Sequence, residues 1–410
     1  MNIFSKFGYN FSMRSIREIF TIGHGPSSSH TMGPAFACDY VLRKYPNARF
    51  ISVTLLGSLA LTGKGHLTDY IINLKLKSVP HIVIFNETRQ TRHPNTMVFR
   101  IENIDGQTYR ENIISIGGGT ILTKDNPFEL AIDVYPHKKL KDILKYCEDE
   151  KLSLAEYVLR FEKEDIKDYM EVVYKTMMEA KERGIQARGE LPGELHVKRK
   201  AGEMYESAKN IKDGLKNIHM MMAVTSFAVA EENASGGIIA IAPTCGSAGV
   251  VPGVITYCEM KEMGHDNIIN GLLVAGLFGI LAKTNASVSG AECGCQAEIG
   301  VACAMGAALV GAAQGFSNND IAQSAEIALE HSLGLTCDPV RGYVQIPCIE
   351  RCAMFSLKAV NAATLAKLIP ASIAKVSYDD ILRTMYQTGK DLRSGYRETS
   401  AEGLARFVKK

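Results

Sequence analysis

The sequence predicts an α+β N-terminal domain, a small α/β unit, followed by a mainly all-α C-terminal domain. Three observations predict it. Strand-like runs crowd the chain before residue 120. Apolar residues switch to helical spacing soon after Lys138. Beyond about residue 186, Ala/Gly/Met-rich stretches alternate with Gly/Pro turns, and no strand pair is evident. The boundaries drawn are 1–150 for the α/β domain, 151–185 for a charged helical connector and 186–410 for the helical domain.

Taken in order, Pro34 suits the first turn of a short helix running from Gly33-Pro34 toward Pro46. Phe50–Leu56 is a β-branched run and His81–Asn86 an apolar one. Thr96–Glu102 and Gln107–Ile116 flank Asp105-Gly106, a dipeptide that favours a primed hairpin turn. Ser153 and Glu156 form a capping-box pattern before Leu154, Tyr157, Val158 and Phe161, which share one helical face. A second amphipathic run, Ile166, Met170, Val173, Tyr174 and Met177, is expected to end at Gly184.

The 410 residues are 46% hydrophobic and 22% charged, an ordinary globular balance. With 46 basic and 44 acidic residues the net charge is +2, so no global field argues for nucleic acid or an anionic membrane. Met1–Arg17 is basic, but too poor in Arg and Ser for a convincing presequence; it reads as an amphipathic lead-in, or the chain starts at Met13. The uncharged stretches Ala234–Cys258, Gly271–Ala282 and Ile299–Asn319 read as buried helices of a cytoplasmic protein rather than membrane spans. Eight of the ten cysteines fall from Cys245 onward, too lopsided for a disulfide scaffold. They are reduced core thiols, or some of them hold a metal or cluster.

Gly57 to Gly65 resembles a phosphate loop but fails as one: five residues separate Gly57 from Gly63, and Gly65 replaces the hydroxyl residue that would hold magnesium. Gly117-Gly118-Gly119 reads as a turn. Ser27, Ser28, Ser29, His30 and Thr31 crowd a helix entrance, where free N–H groups favour an anion. Capping needs only one hydroxyl, so the segment is a small-carboxylate site or an over-supplied cap. A Ser–His hydrolase lacks its Gly-x-Ser-x-Gly elbow. Lys64 and His66 add a cation and an imidazole on a Gly-flanked loop, and His93 beside Pro94 and Asn95 adds a third His. Together they make a polar pocket plausible. Cys295, Cys337 and Cys348 lie at Gly- or Pro-marked breaks, without the paired knuckles of a zinc site. Spacing alone leaves core thiols and an iron–sulfur cluster both open.

At this point the chain resembles the bacterial iron–sulfur-dependent L-serine dehydratases (L-serine ammonia-lyases). The matching segments are Ile22–Pro34, Gly57–Asp69, Ser115–Gly119, Ala242–Thr244, Gly294–Cys303, Gly334–Val340, Pro347–Arg351 and Tyr396–Ser400. They run in order over almost the whole chain. The resemblance implies a β-domain and a catalytic α-domain fused in one chain. It makes Cys295, Cys337 and Cys348 the ligands of a [4Fe–4S] cluster, without pyridoxal phosphate, for which no Ser-x-Lys loop with a Gly-rich phosphate cup is apparent. It places Thr244 and Arg351 with the substrate-binding residues and implies a homodimer acting on L-serine, with no nucleic-acid or membrane partner. Three features depart from the family pattern: Cys245, Cys352, and an end at Lys410 without a terminal cysteine.

L-Serine has a poor leaving group and a weakly acidic Cα–H. A Lewis-acidic iron and a base titrating near neutrality address the two problems. His30 or His66 is the expected base. Lys64, counted with these catalytic groups, joins Ser27, Ser28, Ser29 and Thr31 in holding the carboxylate, with His93 and Asn95 beside them. The competing readings are the same chemistry on L-threonine or L-cysteine, or a non-catalytic iron–sulfur carrier or sensor.

Overall fold

The computed structural model describes residues 13–88, 93–125 and 133–408; the leader reading for residues 1–12 lies outside them. The chain divides into two compact units. One holds the described residues from Gly23 to Asp125. The other joins residues 13–22 to the described chain from Asp133 onward.

The first unit is built on a five-stranded sheet. Its order is His81–Asn86, Ala48–Gly57, Asn95–Asn103, Thr108–Gly117 and Thr120–Leu122. The first pair is parallel and the others antiparallel; Val53 lies opposite Val83 on one side and Phe99 on the other. Parallel pairing requires a crossover, here the helices Ser58–Thr62 and Thr68–Lys75. Alternation along the strands sends Ile51, Val53, Leu55, Met97, Phe99, Ile101 and Ile113 to one core, where they meet Ala37, Cys38 and Val41 of the helix Gly33–Lys44 and Ile71 and Ile72 of Thr68–Lys75. All four expected strands form, Pro34 opens its helix, and Gly106 (φ +80°) makes the hairpin turn. Gly117, Gly118 and Gly119 all take positive φ, as a turn requires.

The second unit is helical. His265–Asn285 and Ile299–Ala313 form its centre, packed by Val250–Met260, Asn318–Glu330 and Cys348–Leu368, with Gly214–Ala234 lying against Val250–Met260 and Cys348–Leu368. His265–Asn285 and the longer helical stretch Cys295–Ala313 are long and apolar enough to cross a membrane, yet most of each is buried inside the protein. Residues 13–22 pack here too: Ile16 and Ile19 close on Gly276 and Gly279, where a Cβ would come within 2.8 and 2.6 Å of them. Each such buried side chain contributes roughly 1.5–3 kcal/mol. The capping box at Ser153 and Glu156 is present. The amphipathic helix Ile166–Gln186 does not stop at Gly184. That glycine lets the Gly214–Ala234 helix approach, since a Cβ would lie 2.2 Å from the Ala228 carbonyl oxygen.

Candidate active site

The expected site residues form two clusters, one in each unit. In the sheet unit, Ser27 precedes a π-helical turn, Ser28–Met32, that runs directly into the Gly33–Lys44 helix. Ser27 Oγ accepts from the His30 backbone N–H at 3.1 Å, and Thr31 Oγ1 accepts from the Ser27 N–H at 3.1 Å. Two of the hydroxyls are therefore capping groups. Thr31 Oγ1 also donates to the His66 carbonyl (2.7 Å) and Thr68 Oγ1 to the His30 carbonyl (2.6 Å). These bonds hold the two imidazoles against each other, 4.7 Å between centroids and tilted by 40°.

The rings differ in their partners. His30 lies between Ser29 Oγ (2.8 Å from Nδ1) and Ser58 Oγ (3.0 Å from Nε2), hydroxyls that can donate or accept. His66 Nδ1 faces the Thr62 carbonyl at 3.1 Å. A carbonyl only accepts, so Nδ1 carries the hydrogen and Nε2 the lone pair. No hydrogen bond to Nε2 occurs among the described residues. Burial holds the His30 pKa well below its ordinary 6.5, helped by the His66 charge; burial also lowers His66. Both rings are neutral near pH 7.

The His93–Asn95 loop joins this cluster through Pro94, whose carbonyl accepts from the Ser58 N–H at 2.7 Å. Gly57 takes φ +60°, and a Cβ there would meet that carbonyl oxygen at 2.4 Å. His93 Nδ1 accepts from the Asn95 N–H at 3.1 Å, and Asn95 Oδ1 is buried without a partner among the described residues. Lys64 is not gathered in: it is exposed, its ammonium 5.5 Å from the Phe85 ring centroid. Ser58, which sequence reasoning missed, is the hydroxyl that ties His30 to the His93 loop.

In the helical unit, three chain breaks bring the cysteines together. Gly294, at φ +73°, lets the Cys295 turn lie against Leu335, whose carbonyl oxygen a Cβ would meet at 2.6 Å. The Cys337 N–H donates to the Tyr396 carbonyl (2.8 Å) and the Glu398 N–H to the Cys337 carbonyl (2.7 Å), so the C-terminal segment pairs with the Cys337 loop. Cys348 starts the helix Cys348–Leu368. Cys337 donates to Glu298 Oε2 at 3.6 Å, and Thr244 Oγ1 donates to Glu298 Oε1 at 2.8 Å. Arg351 donates to the Thr336 carbonyl (2.8 Å) and reaches Asp338 (3.4 Å). Cys295 is the thiol that ionises first, lowered by its hydrogen bond with Cys337; Cys337 is correspondingly held protonated. Burial and the Cys295 charge push Cys348 up. Glu398 is pushed up to about 8 by burial and by the charges of Glu298 and Cys295.

Among the described residues, no group of three or more His, Cys, Asp or Glu is spaced for a single metal ion. An ion asks for ligands about 2.3 Å from one point, whereas an iron–sulfur cluster is a larger body. Three soft donors, Cys295 and Cys337 buried and Cys348 partly so, suit one. Space beside them is kept by Gly290, where a Cβ would lie 3.0 Å from Cys337 Sγ and 2.4 Å from Glu298 Oε2. The donor set fits a cluster with one iron left free of protein thiolate. Glu298, three residues after Cys295, was legible only as part of that segment; nothing local marked it as the carboxylate joining Thr244 to Cys337.

Residues 15–79 match the family model of the serine dehydratase beta chain, and residues 77–405 that of the serine dehydratase alpha chain. The chain therefore belongs to the serine dehydratase family, as a lyase with both parts fused in order. It is 38% identical to an L-serine dehydratase of Haemophilus influenzae and 38% identical to L-serine dehydratase 1 of Escherichia coli. Each comparison covers 96% of this chain and 99% of the relative. An L-serine dehydratase of Helicobacter pylori is 36% identical over the same shares. The boundary between the two family models falls at 77–79, inside the sheet unit and just before the His81–Asn86 strand.

Proposed function

We propose that this chain deaminates L-serine to pyruvate and ammonia, using a [4Fe–4S] cluster held by Cys295, Cys337 and Cys348. The observation that carries the reading is the meeting of those three thiols around Glu298, in a chain whose relatives bear the name L-serine dehydratase. When bound, the cluster supplies Lewis acidity at the iron without a protein thiolate, which helps a hydroxyl depart.

The chain's own residues supply the rest. His66 is the base: its Nε2 lone pair is free, and its lowered pKa keeps it neutral at working pH. It takes the Cα proton while the β-hydroxyl leaves with its bonding pair and departs, protonated, as water. The resulting aminoacrylate tautomerises to an imine, and hydrolysis releases ammonia and pyruvate. His30, locked between Ser29 and Ser58, positions the His66 ring. Ser28, Ser29 and Asn95 serve the substrate's polar groups, while Ser27 and Thr31 fix the turn that presents them. Thr244 orients Glu298, and Arg351 offsets the thiolate charge. The same reading makes the enzyme a cytoplasmic homodimer without nucleic-acid or membrane partners.

The test is anaerobic purification followed by incubation with L-serine. Equimolar pyruvate and ammonia, with colour and turnover lost together in air, are expected. A colourless protein that turns L-serine over equally fast sinks the proposal.

A further inference from the structure

The last stretch of the helical unit is fastened to the Cys337 loop through a residue that the reaction does not use. Asp338 follows Cys337 directly, is 4% exposed, and accepts hydrogen bonds at both carboxylate oxygens. Oδ1 accepts from Thr336 Oγ1 (3.2 Å) and faces Arg351 Nη2 (3.4 Å). Oδ2 accepts from the Leu404 backbone N–H at 2.8 Å. Arg351 lies one turn after Cys348 on the helix Cys348–Leu368. One carboxylate thus joins the loop of one thiol, the helix of a second, and a point 66 residues further along the chain.

The fit at this joint is close. Gly403 takes φ +65°, and a Cβ there would lie 2.1 Å from Asp338 Oδ2, so a side chain would part the Leu404 N–H from the carboxylate. The same stretch makes three more bonds to the loop. The Cys337 N–H donates to the Tyr396 carbonyl, the Glu398 N–H to the Cys337 carbonyl, and Ser400 Oγ to the Pro339 carbonyl (2.7 Å). Glu398 and Ser400 stand at φ +57° and +53°, left-handed conformations that non-glycine residues keep only where their surroundings hold them. Here each is held by one of those bonds. Leu404 opens a helix of only four residues, which a neutral cap could serve. A carboxylate beside a thiolate ligand meets repulsion instead, so its placement answers the need to hold the loop with a charge-assisted bond.

We propose that Asp338 is a positioning residue for the cluster site: by clasping Leu404 and Arg351 it holds the Cys337 loop in place, so the segment from Tyr396 to Phe407 sets how long a cluster is retained. The inference rests on the assignment of Cys337 and Cys348 as cluster ligands.

The test is the rate at which the anaerobically reconstituted full chain gives up iron to an excess of ferrous chelator. Leu404→Pro deletes the N–H at a first helical position, where proline is tolerated; Leu404→Ala trims the exposed side chain and keeps the N–H. Asp338→Asn sets an amide N–H or an uncharged oxygen against the same donor. Leu404→Pro and Asp338→Asn should each release iron about 10–100-fold faster than the parent, the range typical of losing a ligand's supporting partners. Leu404→Ala should release it at the parent's rate. The comparison is made where circular dichroism shows native chain, because a merely structural role would lower Tm and leave release from the folded chain unchanged. That result, in a parent that holds its cluster, overturns this inference alone. A parent that binds no cluster overturns the proposed function and this inference with it. Should the variants not fold, hydrogen exchange of the parent decides. The Cys337, Glu398 and Leu404 amides should slow together when the cluster is loaded, since the coupling is reciprocal; unchanged exchange at Glu398 and Leu404 overturns the clasp.

Discussion

Replacing Gly290 by alanine should empty the proposed cluster site while leaving the chain folded. Gly290 opens the short helix Gly290–Cys293, and a Cβ there would lie 3.0 Å from Cys337 Sγ and 2.4 Å from Glu298 Oε2. Ordinary contact begins near 3.4 Å, so the methyl group is roughly half an ångström too close to the sulfur. Metal–ligand distances tolerate only about 0.2 Å. The carboxylate cannot swing clear at no cost, because Thr244 holds it at 2.8 Å and the Cys337 thiol at 3.6 Å. Disturbing the groups around a ligand typically costs about 10–100-fold in metal affinity. Gly290→Ala should therefore retain at most about a tenth of the parent's cluster at limiting iron. The assay is iron and acid-labile sulfide per chain after anaerobic reconstitution, with circular dichroism confirming the fold. Full occupancy in a natively folded variant would refute the placement of Cys337 as a ligand.

His66→Asn removes the proposed base but keeps a group able to donate to the Thr62 carbonyl. It should lower kcat by about 10²–10⁴-fold with unchanged cluster content, and turnover within threefold of the parent would clear His66 of the role. Because burial lowers the pKa of both His30 and His66 from 6.5, the neutral, proton-accepting forms persist above that value. The kcat/KM profile should be level from pH 6.5 to 8 and fall only on the acid side; an activity limb rising between pH 7 and 8 contradicts the assignment. The same shifts mean that unfolding takes up protons below pH 6.5, so the sheet unit should lose stability as pH falls beneath that point. Glu162 accepts from the Ile16 N–H (2.8 Å), Tyr135 hydroxyl (2.7 Å) and Ser15 hydroxyl (2.8 Å). Glu162→Ala strands two buried donors at roughly 1–3 kcal/mol each, which calorimetry would read as a clear fall in Tm; an unchanged Tm would show that the network contributes little.

Local patterns carried most of the fold. Strand periodicity located the sheet because one face packs on helices, so alternation survives in Ile51, Val53 and Leu55. The Ser153–Glu156 box marked its helix start because a cap is a local bond. Gly184 misled because a glycine within a helical pattern reads as a stop, whereas here it answers a helix more than forty residues away. The candidate site was visible in the crowded hydroxyls and imidazoles around His30 and His66, whereas the cysteines were singled out only by the family resemblance, since spacing left core thiols and a cluster both open. It was not legible where tertiary contacts assign the role. Ser58 gains its part from His30, Glu298 from Thr244 and Cys337, and Lys64 loses its expected part to the Phe85 ring.

Turnover measured as iron and sulfide are removed and restored tests the central claim most directly. Chelated, colourless chain should form no pyruvate from L-serine. Anaerobic reconstitution should return activity in proportion to cluster bound through Cys295, Cys337 and Cys348, and the Cys337→Ser variant should recover neither. Pyruvate formation by the iron-free chain at the reconstituted rate would contradict the account.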